Sequence, residues 1–255
     1  MRLAWLGLAL CLAPGAALAQ GGPQRLHYVA YSTRFRVLDV LVDVNLGASH
    51  YSMDAAVHTI GVFGALVEGA TNSSARGSWD GLAALPSMYD IHGVWHGEHV
   101  HTAMSYAGGI PTITALLPDN AHEREAVSPA LQANTIDTLS AIAVLLHDSS
   151  QTGRCEGRSR VFDGRRLSEI AATTAGEEIL PKTDRSTFQG PTLRCDFTGT
   201  LLAGFKFEDN RAREARPQHG TAWLARLQPG GPLLPMRVRF ATPFFGDAIL
   251  YLAAP

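Results

Sequence analysis

The 255-residue sequence predicts a mainly β protein, a curved antiparallel sheet or open β-barrel that holds one buried helix at about residues 135–147. Three observations lead there. Short stretches alternate apolar and polar side chains between Gly, Pro and Asn turns, as half-buried antiparallel strands do. One helical stretch is apolar on nearly all sides and so needs cover on most of them. Two cysteines, Cys155 and Cys195, each fall on the apolar side of their own strand.

The chain opens with the pattern of an export leader over Met1–Ala19. Arg2 supplies the positive end, Leu3–Ala13 the apolar run, and Ala17-Leu18-Ala19 the small-residue cleavage site before Gln20. The run is too short to span a bilayer, and no later stretch offers roughly 18 apolar residues, so no transmembrane segment is expected after cleavage. Cys11 leaves with the leader, and Cys155 and Cys195 remain as an even pair. The formal charge is −2, and loss of Arg2 makes the rest −3, a balance that does not suggest nucleic acid or an anionic membrane surface as a partner. Residues 20–255 fit one all-β domain.

Tyr28–Leu46 is strand-like, with Leu38, Val40, Val42 and Val44 alternating with Asp39, Asp43 and Asn45. Gly47–His50 turns the chain into Tyr51–Thr59, which alternates in the same way. Gly61–Gly69 reads equally as a helical turn or a bent strand. Further strands are expected around Ser74–Trp79, Met88–Trp95, Val100–Tyr106 and Pro111–Leu117, then Ala222–Leu227, Leu234–Ala241 and Ala248–Leu252. Phe244-Phe245-Gly246 forms a bend before the last of these. The helix spans Ile136–His147, with Thr135 as N-cap and Asp137 in the first turn as a dipole partner.

Between the cysteines, Val161-Phe162-Asp163-Gly164-Arg165-Arg166 places Asp-Gly between β-prone flanks, which predicts a two-residue hairpin turn. In that register Phe162 faces Arg165 and Arg158 stands opposite Glu169. Arg158, Arg160, Phe162, Leu167 and Glu169 then share a charged face, while Cys155, Ser159, Val161 and Ile170 share the other. In Thr192–Thr198, Leu193, Cys195 and Phe197 face together. The two inward cysteines are candidates for one buried disulfide in an oxidising compartment, the alternative being a buried pair of free thiols.

Catalytic and metal signatures are sparse. His92, His96, His99 and His101 cluster, and His99 and His101 share a strand face, which is the weak alternative for a metal site. No acid or cysteine stands near them at a recognisable ligand spacing, so exposed strand histidines are the expectation. No G-x-S-x-G elbow and no phosphate-binding glycine loop is present, and no cofactor is expected. A membrane barrel is disfavoured by the buried helix and the sparse aromatics.

The order of these features resembles a family of exported bacterial proteins known as domain of unknown function 3108. Carrying the resemblance are Tyr28–Tyr31, Thr59-Ile60-Gly61, Asn134–Ala141, Cys155, Val161–Arg166, Gly190 to Cys195, Ala203-Gly204-Phe205 and Pro235–Val238. It implies the periplasm of a Gram-negative bacterium and a β-rich fold, and it assigns no catalytic residue. Two functions are compatible with it. One is non-enzymatic binding of an apolar or lipid-like ligand in the concave face of the sheet, with Leu139, Ile142 and Leu146 lining the pocket. The other is an interaction or scaffold protein whose core is filled by its own side chains. An enzyme ranks third.

Overall fold

The computed structural model describes residues 22–242 and 246–253, so the leader and the Phe244-Phe245 bend lie outside the described residues. Thirteen strands follow in chain order: β1 (Gln24–Ser32), β2 (Phe35–Leu46), β3 (His50–Thr59), β4 (Gly69–Asp80), β5 (Ala83–Trp95), β6 (Glu98–Ala107), β7 (Ile110–Leu117), β8 (Gly157–Phe162), β9 (Leu167–Leu180), β10 (Gly190–Ala203), β11 (Gln218–Arg226), β12 (Leu233–Thr242) and β13 (Gly246–Leu252). Helices α1 (Gly61–Leu66), α2 (Pro129–Gln132), α3 (Thr138–Thr152) and α4 (Arg211–Glu214) complete the chain. Gly61–Gly69 therefore takes the helical option, and Tyr28–Leu46 is two strands with a turn at 33–34.

All strands join one antiparallel sheet in the order β7-β6-β5-β4-β3-β2-β1-β13-β12-β11-β10-β9-β8. Each strand pairs with its neighbours in sequence, and β1 pairs with β13, so the two ends of the domain meet. The single break in this ring falls between β7 and β8, the two strands that flank α3 in sequence. The chain leaves the sheet at that seam, places α3 inside, and returns. The curved, open, helix-filled sheet expected from the sequence is the observed architecture.

The seam is closed by packing and a strap rather than by a ladder. Ile136 runs parallel to β8, its N–H donating to the Arg160 carbonyl at 3.0 Å and its carbonyl accepting from the Phe162 N–H at 2.9 Å. Arg165 donates to Asn120 Oδ1 at 2.8 Å and to the Pro118 carbonyl at 2.6 Å. Glu125 and Phe207 continue the strap with backbone bonds of 2.9 and 3.1 Å to Phe205 and Glu123. The other edge, β7, contains Pro111, which has no N–H to offer, and a register shift opposite Ala103 and Met104. Both features blunt an edge against further strand pairing.

Two sequence expectations are corrected in the hairpin. The turn spans four residues, not two, since Phe162 faces Leu167 and Glu169 faces Arg160. The cause is Asp163, whose carboxylate accepts from the Arg165 and Arg166 N–H groups at 2.9 and 2.7 Å and wraps a wider turn around itself. Phe162 and Leu167 are each only 1% exposed, so the face expected to be charged turns into the core at its end. Arg158 still reaches Glu169 at 2.9 Å, as a diagonal contact. Cys155 and Cys195 are fully buried with Cα atoms 5.7 Å apart, at disulfide distance.

Gly164 sits in this turn at φ +89°, buried beneath the β6–β7 edge, where an added Cβ would overlap Thr102 Cγ2. Gly164→Val combines a forbidden backbone angle with a clash at the seam, and should cost at least about 2 kcal/mol in urea denaturation. A midpoint within error of the parent's contradicts the packed seam. Thiol labelling of denatured, unreduced protein should find Cys155 and Cys195 unreactive. Reduction should then lower stability by about 4 kcal/mol in the chain-entropy view of the 40-residue separation.

Candidate functional site

Helix α3 is the only long helix among the described residues, and the interior of the barrel is organised around it. It begins two residues later than the sequence pattern predicts and runs five residues further. Asp137, not Thr135, is the N-cap: its carboxylate accepts the Ser140 N–H at 2.8 Å. Thr135 instead donates its hydroxyl to the Gln132 carbonyl at 2.7 Å, closing the preceding turn. Gly153, in the left-handed conformation at φ +71°, ends the helix. Leu139, Ala143 and Leu146 enter one continuous apolar cluster with Tyr28, Met53, Met104, Leu224 and Met236. Ile142 lies on the other side and is 38% exposed. The three residues expected to line a pocket therefore separate, two into the packed core and one to the surface.

A polar cluster interrupts this apolar filling at the start of α3. Ser140 Oγ donates to Asp137 Oδ2 at 2.6 Å, and Tyr51 Oη lies 2.6 Å from Ser140 Oγ. Asp137 and Ser140 are fully buried. Burial pushes the Asp137 carboxyl above the ordinary carboxylate value, and the bonds from Ser140 oppose that shift. Tyr51, Tyr89 and Tyr106 surround it, and burial raises all three phenols, with the Asp137 charge adding in the same sense. These tyrosines stay protonated at neutral pH; Tyr51 donates to Ser140, whose own proton goes to Asp137, while the Tyr106 hydroxyl is buried without a hydrogen-bond partner. Ser140 gives its proton to a carboxylate and not to an imidazole, so the pair has no general base of the serine-hydrolase kind. Farther along α3, Trp79 stacks on His147 at 4.0 Å between centroids and meets Tyr51 at 4.6 Å in a tilted contact. Burial lowers the His147 pKa, against a backbone bond to Gly81.

The histidine cluster lies elsewhere, across β5 and β6. His92 and His101 are cross-strand partners, and both hold Asp90, at 2.6 and 2.9 Å. The acid thought missing from the local spacing is thus supplied two residues before His92. Burial pushes the Asp90 carboxyl up, but the hydrogen bonds from His92 and His101 outweigh it and hold it below the usual range. His99 takes no part in this contact. Among the described residues no three His, Cys, Asp or Glu side chains are arranged to hold a metal ion.

Two of the larger grooves lie on the outside. One of about 530 Å³ runs over β9 to β13 and is bordered by Arg194, Asp196, His219, Thr221, Arg239 and Asp247. The other, of about 430 Å³, lies over β3 and β4 between His50, Ser52, Arg76 and Ser87. Neither is lined by Leu139, Ile142 or Leu146.

Fold and interior together define a β-barrel-like protein, an open sheet wrapped around its own helix. The chain belongs to the family described as a protein of unknown function (DUF3108), whose model matches residues 25–253. It is also similar to a solved structure, a β-barrel-like protein of domain of unknown function DUF1849 from Brucella abortus. That likeness has a TM-score of 0.54 at 10% identity and covers 91% of this chain and 96% of the other. At such identity it concerns the fold alone. No curated protein matches the chain.

Asp137 offers a pH test. Its folded-state pKa is raised, so the folded protein binds this proton more tightly than the unfolded chain does. The resulting stability is fully present below the unfolded carboxylate value of about 4 and is lost as pH rises through the higher folded value. Asp137→Asn keeps an acceptor for the Ser140 N–H and removes the titration. The parent should therefore lose melting temperature relative to this variant as pH rises from about 4 towards neutrality. A difference that is flat, or that grows in the parent's favour, refutes the raised pKa.

Proposed function

We propose that the protein is an exported, non-enzymatic interaction protein of the bacterial envelope, filled by its own helix and meeting its partners on its outer surface. The observation that carries this reading is the placement of Leu139, Ala143 and Leu146 in one cluster with strands from both halves of the sheet, where an internal ligand would otherwise sit. The leader pattern and the cysteine pair favour export. The buried Asp137–Ser140–Tyr51 chain supports a structural role for the interior polar groups, since each satisfies another.

An apolar or lipid-like guest is the second reading, favoured by one observation. Ile142 stands 38% exposed on a helix that is otherwise largely enclosed, so an apolar molecule could cover it from outside. This guest would sit at the surface of α3 and not in the concave face.

The two readings separate on cis-parinaric acid, a fluorescent fatty acid. The interaction reading expects no saturable uptake by the parent, and it expects Ala143→Leu, which adds volume at a fully buried site, to cost about 1–3 kcal/mol. The guest reading expects saturable uptake that Ile142→Trp abolishes with little loss of stability. Tolerance of Ala143→Leu without cost refutes a filled core.

A further inference from the structure

Much of the outer face of the sheet is occupied by closed charge pairs. Arg25 meets Asp43 at 2.8 Å, Arg76 meets Asp54 at 2.8 Å, and Arg158 meets Glu169 at 2.9 Å. One row departs from this. Arg194, Trp223, Arg237 and Tyr251 are successive cross-strand neighbours on β10, β11, β12 and β13. The Arg237 guanidinium lies 5.6 Å from the Trp223 ring centroid and 5.1 Å from that of Tyr251. Among the described residues it has no carboxylate partner, and its Nε is buried without a hydrogen bond. The Trp223 indole Nε1 is likewise buried without an acceptor, on a residue only 7% exposed.

Both groups are donors only, and one carries a permanent charge. A buried polar group without a partner is costly, and a charged one more so, which is why such groups are nearly always paired with protein, water or an ion. Here the two orphans are side by side and ask for the same thing, an acceptor. The surroundings favour one that is negatively charged. Arg239 lies two residues along β12 on the same face, and it too has no acidic partner among the described residues. Arg194 borders the row from the other side and reaches Asp196 and Glu178 only at 3.4 and 3.8 Å. The groove of about 530 Å³ opens alongside, with the neighbouring residues Arg194, Thr221 and Arg239 in its lining, while Trp223 and Arg237 lie just beneath it. Of the two carboxylates in that lining, Asp196 is engaged by the Thr221 hydroxyl at 2.8 Å. Asp247 stands on β13 opposite Ala241, diagonal to Arg239 on the same face, and forms no ion pair with it.

We infer that Trp223 and Arg237 form a binding site for an anionic group, a carboxylate or phosphate, beside the groove over β9 to β13. The indole N–H and the guanidinium Nε–H donate to one anion, and the Trp223 and Tyr251 rings on either side hold the guanidinium in place for it. Arg239 adds charge in the groove. The anion belongs either to a small free molecule or to the headgroup of an anionic lipid.

The Trp223 indole N–H resonance reads this directly in ¹⁵N-labelled full-length protein. Inorganic phosphate, and separately acetate, replace chloride at constant ionic strength. A saturable shift of that resonance is expected, weakened at least about tenfold in Arg237→Gln and by a smaller factor in the surface variant Arg239→Ala. Vesicles of phosphatidylcholine with and without phosphatidylglycerol separate the two sources. Broadening that requires phosphatidylglycerol, with little response to free phosphate, assigns the site to a headgroup, and the reverse assigns it to a free anion. If phosphate, acetate and both vesicles leave the resonance unmoved, or move it linearly, the two donors are satisfied by water and the inference falls. It falls equally if Arg239→Ala and a folded Arg237→Gln respond as the parent does.

Discussion

The structure depends on covering the concave face of a large antiparallel sheet. Its inner positions are apolar from β1 through β13, and leaving them wet forfeits about 25 cal/mol for every Å². The chain covers them with a single helix delivered from within its own sequence. The price is the seam: α3 is inserted in sequence between β7 and β8, and among the described residues the ring of neighbours opens between those two strands. The parallel run of Ile136, the Asn120 and Pro118 contacts of Arg165, and the tucked Gly164 all repair that opening.

A helix that fills a barrel by apolar contact alone could slide or turn, since hydrophobic contact has little direction. The polar start of α3 supplies direction. Asp137 caps the helix, binds Ser140 twice, and through Ser140 ties the helix to Tyr51 on β3, 89 residues away in sequence. The Trp79–His147 stack and the Leu233 N–H bond to Ser150 Oγ at 2.7 Å fix the other half. The interior polar groups thus set the orientation of the helix.

The outer surface carries two kinds of polar arrangement. Over β1 to β6 charges are matched across strands, and even the exposed histidines share one carboxylate. Over β10 to β13 donors outnumber their acceptors, and arginine stacks on aromatic rings in place of an acid. Two of the buried polar atoms without a partner among the described residues, Trp223 Nε1 and Arg237 Nε, lie in this sector; the third, Tyr106 Oη, lies in the interior.

How much of this was legible follows from range. Alternation with period two depends on near neighbours, so the β class, the inward cysteines and the buried helix could all be read from the chain. Local side-chain chemistry already strained that reading: Asp163 widened the hairpin, and Asp137 outcompeted Thr135 for the cap because Ser140 stood ready three residues on. Tyr51, Tyr89 and Tyr106 were legible only as ordinary strand residues, since nothing nearby announces that a carboxylate from the helix will arrive among them. Ile142 looked equivalent to Leu139 and Leu146, and only the docking angle of α3 put it outside. The sequence by itself determined which faces must be buried. Which residues meet there was decided by the tertiary structure, because contacts between positions dozens to hundreds of residues apart leave no periodic trace in the chain.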